Sequence, residues 1–181
     1  MTENLRFLGS FGYFEAGGGA GGRPMWNVRL RHNFNPLTYQ QLQFRRGTTE
    51  PDRQIEESWS YMLSHVFQPD LAGYLYAIHS TYIGIPGYAK IGGEDHIGLL
   101  FTYALAQRTL LRVGGAYTAT TYENPLFFAN SDSWIARAAI VYRFTKSMDG
   151  QLLYQFRDRD SSLPLDSYYE NKVVLTLVKY F

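Results

Sequence analysis

The stretch Tyr169-Glu170-Asn171-Lys172-Val173-Val174-Leu175-Thr176-Leu177-Val178-Lys179-Tyr180-Phe181 restricts this chain more than any other. In an extended strand Val173, Leu175, Leu177 and Phe181 share one face, and Glu170, Lys172, Thr176 and Tyr180 share the other. Lys179 interrupts the apolar face near its end, where a long side chain reaches a membrane surface. A soluble sheet ending on such a strand would carry an adhesive edge. A closed membrane barrel pairs the last strand with the first and leaves no edge. That solution requires the rest of the chain to repeat the pattern.

The totals are compatible with it. The 181 residues suffice for one domain, 1–181. The formal net charge of +1 gives no reason to expect a nucleic-acid partner. Cysteine is absent, which removes disulfides and thiolate metal sites. Aromatic residues make up 17% of the chain, and amphipathic rings favour bilayer interfaces. Mean hydropathy is slightly negative, as in a barrel, where only alternate residues meet lipid. The opening Met1-Thr2-Glu3-Asn4 lacks the basic start and apolar core of a signal peptide. The expectation is therefore a mature form or the C-terminal part of a longer chain.

Read in order, the sequence alternates through ten segments. Leu5, Phe7, Phe11 and Tyr13 mark the first, before the glycine-rich run Ala16 to Pro24. No Gly-Lys-Ser/Thr follows that run, so it is a loop and not a phosphate cradle. Trp26, Val28, Leu30 and Phe34 mark the second, which ends at Asn35-Pro36. The third, 38–46, is the least regular. Trp59, Tyr61, Leu63 and Phe67 mark the fourth, which turns at Gln68-Pro69-Asp70. In the fifth, Tyr74, Tyr76, Ile78 and Tyr82 are expected to face outward. Ile97 to Leu105, Leu111 to Ala119, Trp134 to Phe144, and Leu152 to Phe156 supply the next four. Their turns fall at Gln107-Arg108 and at Ser147-Met148-Asp149-Gly150. Short turns alternate with longer loops throughout.

A second regularity lies at two depths. Trp26, Trp59 and Trp134 stand near the starts of even strands, and Phe34, Phe67, Phe144 and Phe181 close even strands. At about 3.3 Å per residue and a tilt near 40°, these two sets are roughly 20–25 Å apart, close to the apolar height of an outer-membrane barrel. They are the expected membrane-interface aromatics. The fold class expected is all-β: an antiparallel up-and-down transmembrane β-barrel of about ten strands in the bacterial outer membrane, with both termini periplasmic.

Over its last hairpin the sequence resembles the outer-membrane β-barrel porin family of Gram-negative bacteria, including barrels associated with exopolysaccharide export. Tyr154-Gln155-Phe156-Arg157-Asp158, Ser167-Tyr168-Tyr169-Glu170-Asn171 and the alternating run to Phe181 carry the resemblance. Asn35-Pro36, Gln68-Pro69-Asp70 and Phe44-Arg45-Arg46-Gly47 echo it more weakly. The resemblance implies a transport role and brings no catalytic motif. Members of this kind are usually longer.

On the face opposite lipid, alternation places the basic residues Arg6, Arg29, Arg31, Arg45, Arg112, Arg137, Arg143, Arg157 and Lys172, with the acids Glu56 and Glu170. The functional expectation is a porin-like barrel with a basic lumen, passing anionic solutes or serving export of an acidic polysaccharide. The alternative is a sealed barrel, an anchor or surface-binding module whose loops do the recognition, with the arginines filling a narrow interior. The expected partners are membrane lipid and, through the C-terminal strand, the barrel-assembly machinery. No cofactor or metal is expected. Asp158, Asp160 and Asp166 lack the spacing of a calcium loop. Ser64 and His65 are adjacent in a strand and face opposite sides, which argues against an enzyme.

Overall fold

The computed structural model describes residues 4–14, 23–49, 54–83, 91–122 and 130–180. They form ten strands: β1 (Leu5–Phe14), β2 (Arg23–Asn35), β3 (Thr38–Thr49), β4 (Gln54–Gln68), β5 (Leu71–Ile83), β6 (Ile91–Ala106), β7 (Thr109–Tyr122), β8 (Ser131–Thr145), β9 (Met148–Ser161) and β10 (Tyr168–Lys179). A 3-10 turn, Pro164–Asp166, precedes β10. Each strand pairs antiparallel with its sequence neighbours, and the sheet runs from β1 to β10 in chain order. The ladders join each strand to the next, and none joins β10 back to β1 among the described residues.

The turns at one end follow from local chemistry. Between β2 and β3 the Asn35 side chain accepts from the Leu37 amide at 2.9 Å, an Asx turn that frees Pro36 from donating. Between β8 and β9 the Thr145 hydroxyl accepts from the Ser147 amide at 3.2 Å. This turn lies at Lys146–Ser147, earlier than Ser147-Met148-Asp149-Gly150 in the sequence reading. Those last three residues belong to β9. Gly150 is there because the Phe144 ring lies against it, and a Cβ would stand 2.5 Å from the ring. It answers a close approach, not a bend.

The described residues form one layer. Among the described residues the buried apolar side chains are Ile55, Ile135 and Ala139. Soluble domains bury a sheet's apolar face under a second layer. Here the face carrying Phe7, Leu30, Phe44, Leu75, Leu99, Trp134, Leu152 and Leu175 is left exposed. No element among the described residues packs over either side.

The ladders fix which residues share a face, since directly opposed partners point the same way. Leu30–Leu42, Leu42–Tyr61, Leu63–Leu75, Leu75–Leu99, Val113–Ala138, Ala138–Tyr154 and Tyr154–Val173 pair across successive strands on the apolar face. Strand β5 corrects the sequence reading. Tyr74 pairs with Ser64, Tyr76 with Met62, Ile78 with Ser60 and Tyr82 with Glu56, so these four lie on the polar face. Leu75, Ala77 and His79 occupy the apolar one. Register with β4 outweighs the larger rings, because slipping by one residue would turn all of β5 inside out.

Candidate functional site

On the polar face the ladders between β5 and β9 set out rows. In one, Tyr74, Leu100, Gly114, Arg137 and Gln155 succeed one another across the strands. In the next stand Tyr76, Gly98, Ala116, Ile135 and Arg157. Beyond it come Ile78, His96, Thr118, Ser133 and Arg159. Gly98 on β6 and Gly114 and Ala116 on β7 thus lie between the rings of β5 and the guanidinium of β8. The result is a cavity of about 130 Å³ lined by Tyr74, Tyr76, His96, Leu100, Ala116 and Arg137, among others.

Its walls are held in place. The Tyr76 hydroxyl lies 3.1 Å from His96 Nε2, and the two rings stack at 5.3 Å with 21° between planes. His96 Nδ1 lies 2.6 Å from the Thr118 hydroxyl. Both partners are hydroxyls, so either neutral tautomer of His96 is satisfied. Gly98 permits this arrangement, because a Cβ there would stand 2.5 Å from the Tyr76 oxygen. Across the trough Arg137 donates Nε–H to Gln155 at 2.8 Å and remains exposed. Nearer the loops, Ser80 donates to Glu56 at 2.9 Å and Tyr82 to Glu94 at 3.4 Å. Tyr74, Tyr76, His96 and Glu94 were not read as site residues from sequence. The signal available was Gly98 and Gly114-Gly115 within otherwise β-rich runs, since glycine inside a strand marks a close approach.

The basic-lumen expectation is overturned. None of its nine basic residues is buried: Arg6, Arg45, Arg112, Arg137, Arg143 and Lys172 are exposed, and Arg29, Arg31 and Arg157 are half-buried. No buried basic residue among the described ones lines an interior, and no ladder among them joins β1 to β10. Several are committed to neighbours. Arg31 donates to Asn33 at 3.1 Å with its guanidinium 3.8 Å from the Tyr39 ring centre. Arg143 pairs with Asp149 at 3.3 Å, and Arg157 donates to the Tyr168 hydroxyl at 3.4 Å. Of the acids, Glu56 is held by Ser80, and Glu170 stands opposite Arg157.

The aromatic set lies as follows. Trp26 is half-buried and pairs with Phe11 and Arg46, Trp59 with Phe44 and His79, and Trp134 with Tyr117 and Asp158. Phe34, Phe67 and Phe144 are exposed at the turn end, and Phe181 lies outside the described residues. Polar pairs stand at both ends of the apolar face. Arg46–Glu57 (3.0 Å) and His79–Asp95 (2.7 Å) lie toward the loops, and Thr38–His65 (2.7 Å) toward the turns.

No protein-family model matches the chain, and no curated protein does. Solved structures resemble it, among them the following two. OmpTdeltaL8, a loop L8 deletion mutant of OmpT, an outer membrane protein of Vibrio cholerae, is 13% identical, with a TM-score of 0.69 over 97% of this chain and 61% of that one. The NanC porin is 11% identical, with a TM-score of 0.56 over 99% of this chain and 95% of that one. The chain thus spans about three fifths of the length of the OmpT variant it matches. Identities this low speak to the fold alone: ten antiparallel strands arranged as in outer-membrane porins. No group of three His, Asp or Glu gathers as a metal site among the described residues.

Proposed function

We propose that this chain forms the wall of a porin-type channel of the outer membrane, its apolar face against lipid and its polar face toward water, passing small hydrophilic solutes. One observation carries the reading: a single ten-stranded sheet whose continuous apolar face has no layer over it among the described residues. Lipid is the medium that makes such a face stable without a core. The polar pairs support a membrane of ordinary thickness. His65 and Glu57 stand eight residues apart on β4, which is about 26 Å along a strand and roughly 20 Å along the normal at a 40° tilt. On this reading Trp26, Trp59 and Trp134 sit at one interface and Phe34, Phe67, Phe144 and Phe181 at the other. The short turns and both termini are periplasmic. Edge strands cannot stay open in hydrocarbon, so β1 and β10 pair with each other, as their opposite directions allow.

Two measurements test this. The sequence contains no cysteine, so Gly9→Cys can be combined in turn with Val173→Cys, Leu175→Cys or Leu177→Cys. One combination should crosslink within a single chain in lipid; crosslinking only between chains, or none, removes self-closure. Refolded into liposomes, the wild-type chain should admit small neutral sugars and swell the vesicles. Folded protein in vesicles that stay impermeable would favour the sealed barrel. That reading draws on the arginines Arg31, Arg143 and Arg157, each engaged with a neighbour on the polar face.

A further inference from the structure

The trough between β5 and β8 has the features of a ligand site that the channel reading does not itself require. We infer that it binds a small aromatic carboxylate, with the ring lying over β6 and β7 and the carboxylate on Arg137. The inference rests on the polar face meeting water, as proposed above.

Three properties select this chemistry. Space comes first: Tyr76 on β5 and Arg137 on β8 are three strand spacings apart, about 14 Å between backbones. Between them stand Gly98 and Leu100 on β6 and Gly114 and Ala116 on β7; the Tyr76 ring lies over Gly98, and Leu100 lies against Gly114. The cavity left among them is about 130 Å³, which admits a flat ring with a one-carbon acidic group. The second property is the character of the floor. Leu100, Ala116 and Ile135 are apolar, and they offer nothing to a hydroxyl. The polar atoms of Tyr76 and His96 are already spent on each other and on Thr118. A sugar ring would therefore lose hydrogen bonds to water around most of its edge, at about 1–3 kcal/mol for each unsatisfied group. An aromatic ring loses none and gains contact with the Tyr74 and Tyr76 rings, themselves 5.9 Å apart.

The third property is the single cation. Arg137 spends Nε on Gln155, and that bond is its one hydrogen bond among the described residues. Its terminal nitrogens remain as a fork for a carboxylate, with the guanidinium plane already fixed. This is a local feature of one arginine beside a trough. It is independent of whether the other basic residues line anything.

The test uses the refolded full chain in detergent micelles, with saturation-transfer NMR as readout and benzoate, benzyl alcohol and D-glucose as probes. Benzoate ring protons should receive saturation strongly, benzyl alcohol weakly and glucose hardly at all. Arg137→Gln should weaken benzoate at least about tenfold, the loss of one charge-assisted contact, and bring it level with benzyl alcohol. Ala116→Leu, which fills the floor and adds no polar group, should weaken benzoate and benzyl alcohol together. Each variant is compared at unchanged β-sheet circular dichroism. The inference is overturned if benzoate receives no saturation, if glucose outdoes it, or if both variants bind benzoate as wild type does. Because binding is read without transport, the two readings fail separately. Vesicle swelling without benzoate binding removes only the site, and binding in sealed vesicles removes only the passage.

Discussion

Over β2 and β3 large side chains fill the polar face, whereas between β5 and β8 that face is interrupted by Gly98, Gly114 and Ala116. In the first region Gln43 donates to Asn27 at 2.9 Å, Arg31 to Asn33, and the Arg31 guanidinium covers Tyr39. These are separate local pairs between neighbouring strands. In the second region Tyr76, His96 and Thr118 form one connected chain, with the Tyr76 ring lying over Gly98 and Leu100 lying against Gly114. The same sheet geometry thus yields a carpet in one place and a depression in the other. Side-chain volume decides which. A membrane sheet needs no apolar core under its polar face, so that face is free to vary in this way.

The largest expected effect comes from refilling the depression at its tightest point. A Cβ at Gly114 would stand 2.6 Å from the Leu99 carbonyl oxygen and 2.8 Å from Leu100. Backbone cannot swing aside as a side-chain tip does. Gly114→Val should therefore destabilise the folded state by about 3 kcal/mol, the upper end for overpacking. On β1, beside the first region, Gly12→Val meets only Met25 at 4.0 Å and should stay within about 0.5 kcal/mol. Urea unfolding of both variants in lipid vesicles checks the contrast. Equal midpoints would mean the two regions are packed alike.

The same contrast shows what could be read from sequence. Ten alternating segments and turns such as Asn35-Pro36 were legible, because turn chemistry and period are local properties. Strand β5 was not. Tyr74, Tyr76 and Tyr82 look like lipid-facing rings, and the opposite set, Leu75, Ala77 and His79, is less apolar. Only the ladder of Leu63 with Leu75 and of Leu75 with Leu99 settles the face, and register is a non-local property. Gly150 misled for a related reason. Asp149-Gly150 is a turn signal in one dimension, but in three it makes room for Phe144. The trough inherits both difficulties, since its rings lie on the misread strand and its floor consists of residues with almost no side chain.

A smaller effect distinguishes a connected chain of hydrogen bonds from isolated pairs. Tyr76→Phe leaves His96 Nε2 without its partner at 3.1 Å, and Thr118→Val leaves Nδ1 without its partner at 2.6 Å. Each should cost about 1 kcal/mol, the usual net value of one such bond. After either single change the imidazole is still oriented by the other hydroxyl. After both it is free to turn away from the Tyr76 ring position, so the double variant should lose at least about 0.5 kcal/mol more than the sum. On β2–β3 the corresponding pair, Gln43→Leu with Asn33→Ala, breaks two bonds that share no atom. Gln43 stands opposite Arg29, four residues from Asn33 along β2, about 13 Å at strand rise. Those two losses should add within about 0.5 kcal/mol. If the His96 cycle is additive as well, the ring of Tyr76 is held by packing on Gly98 alone, and the trough wall is less fixed than the Arg137 side that faces it.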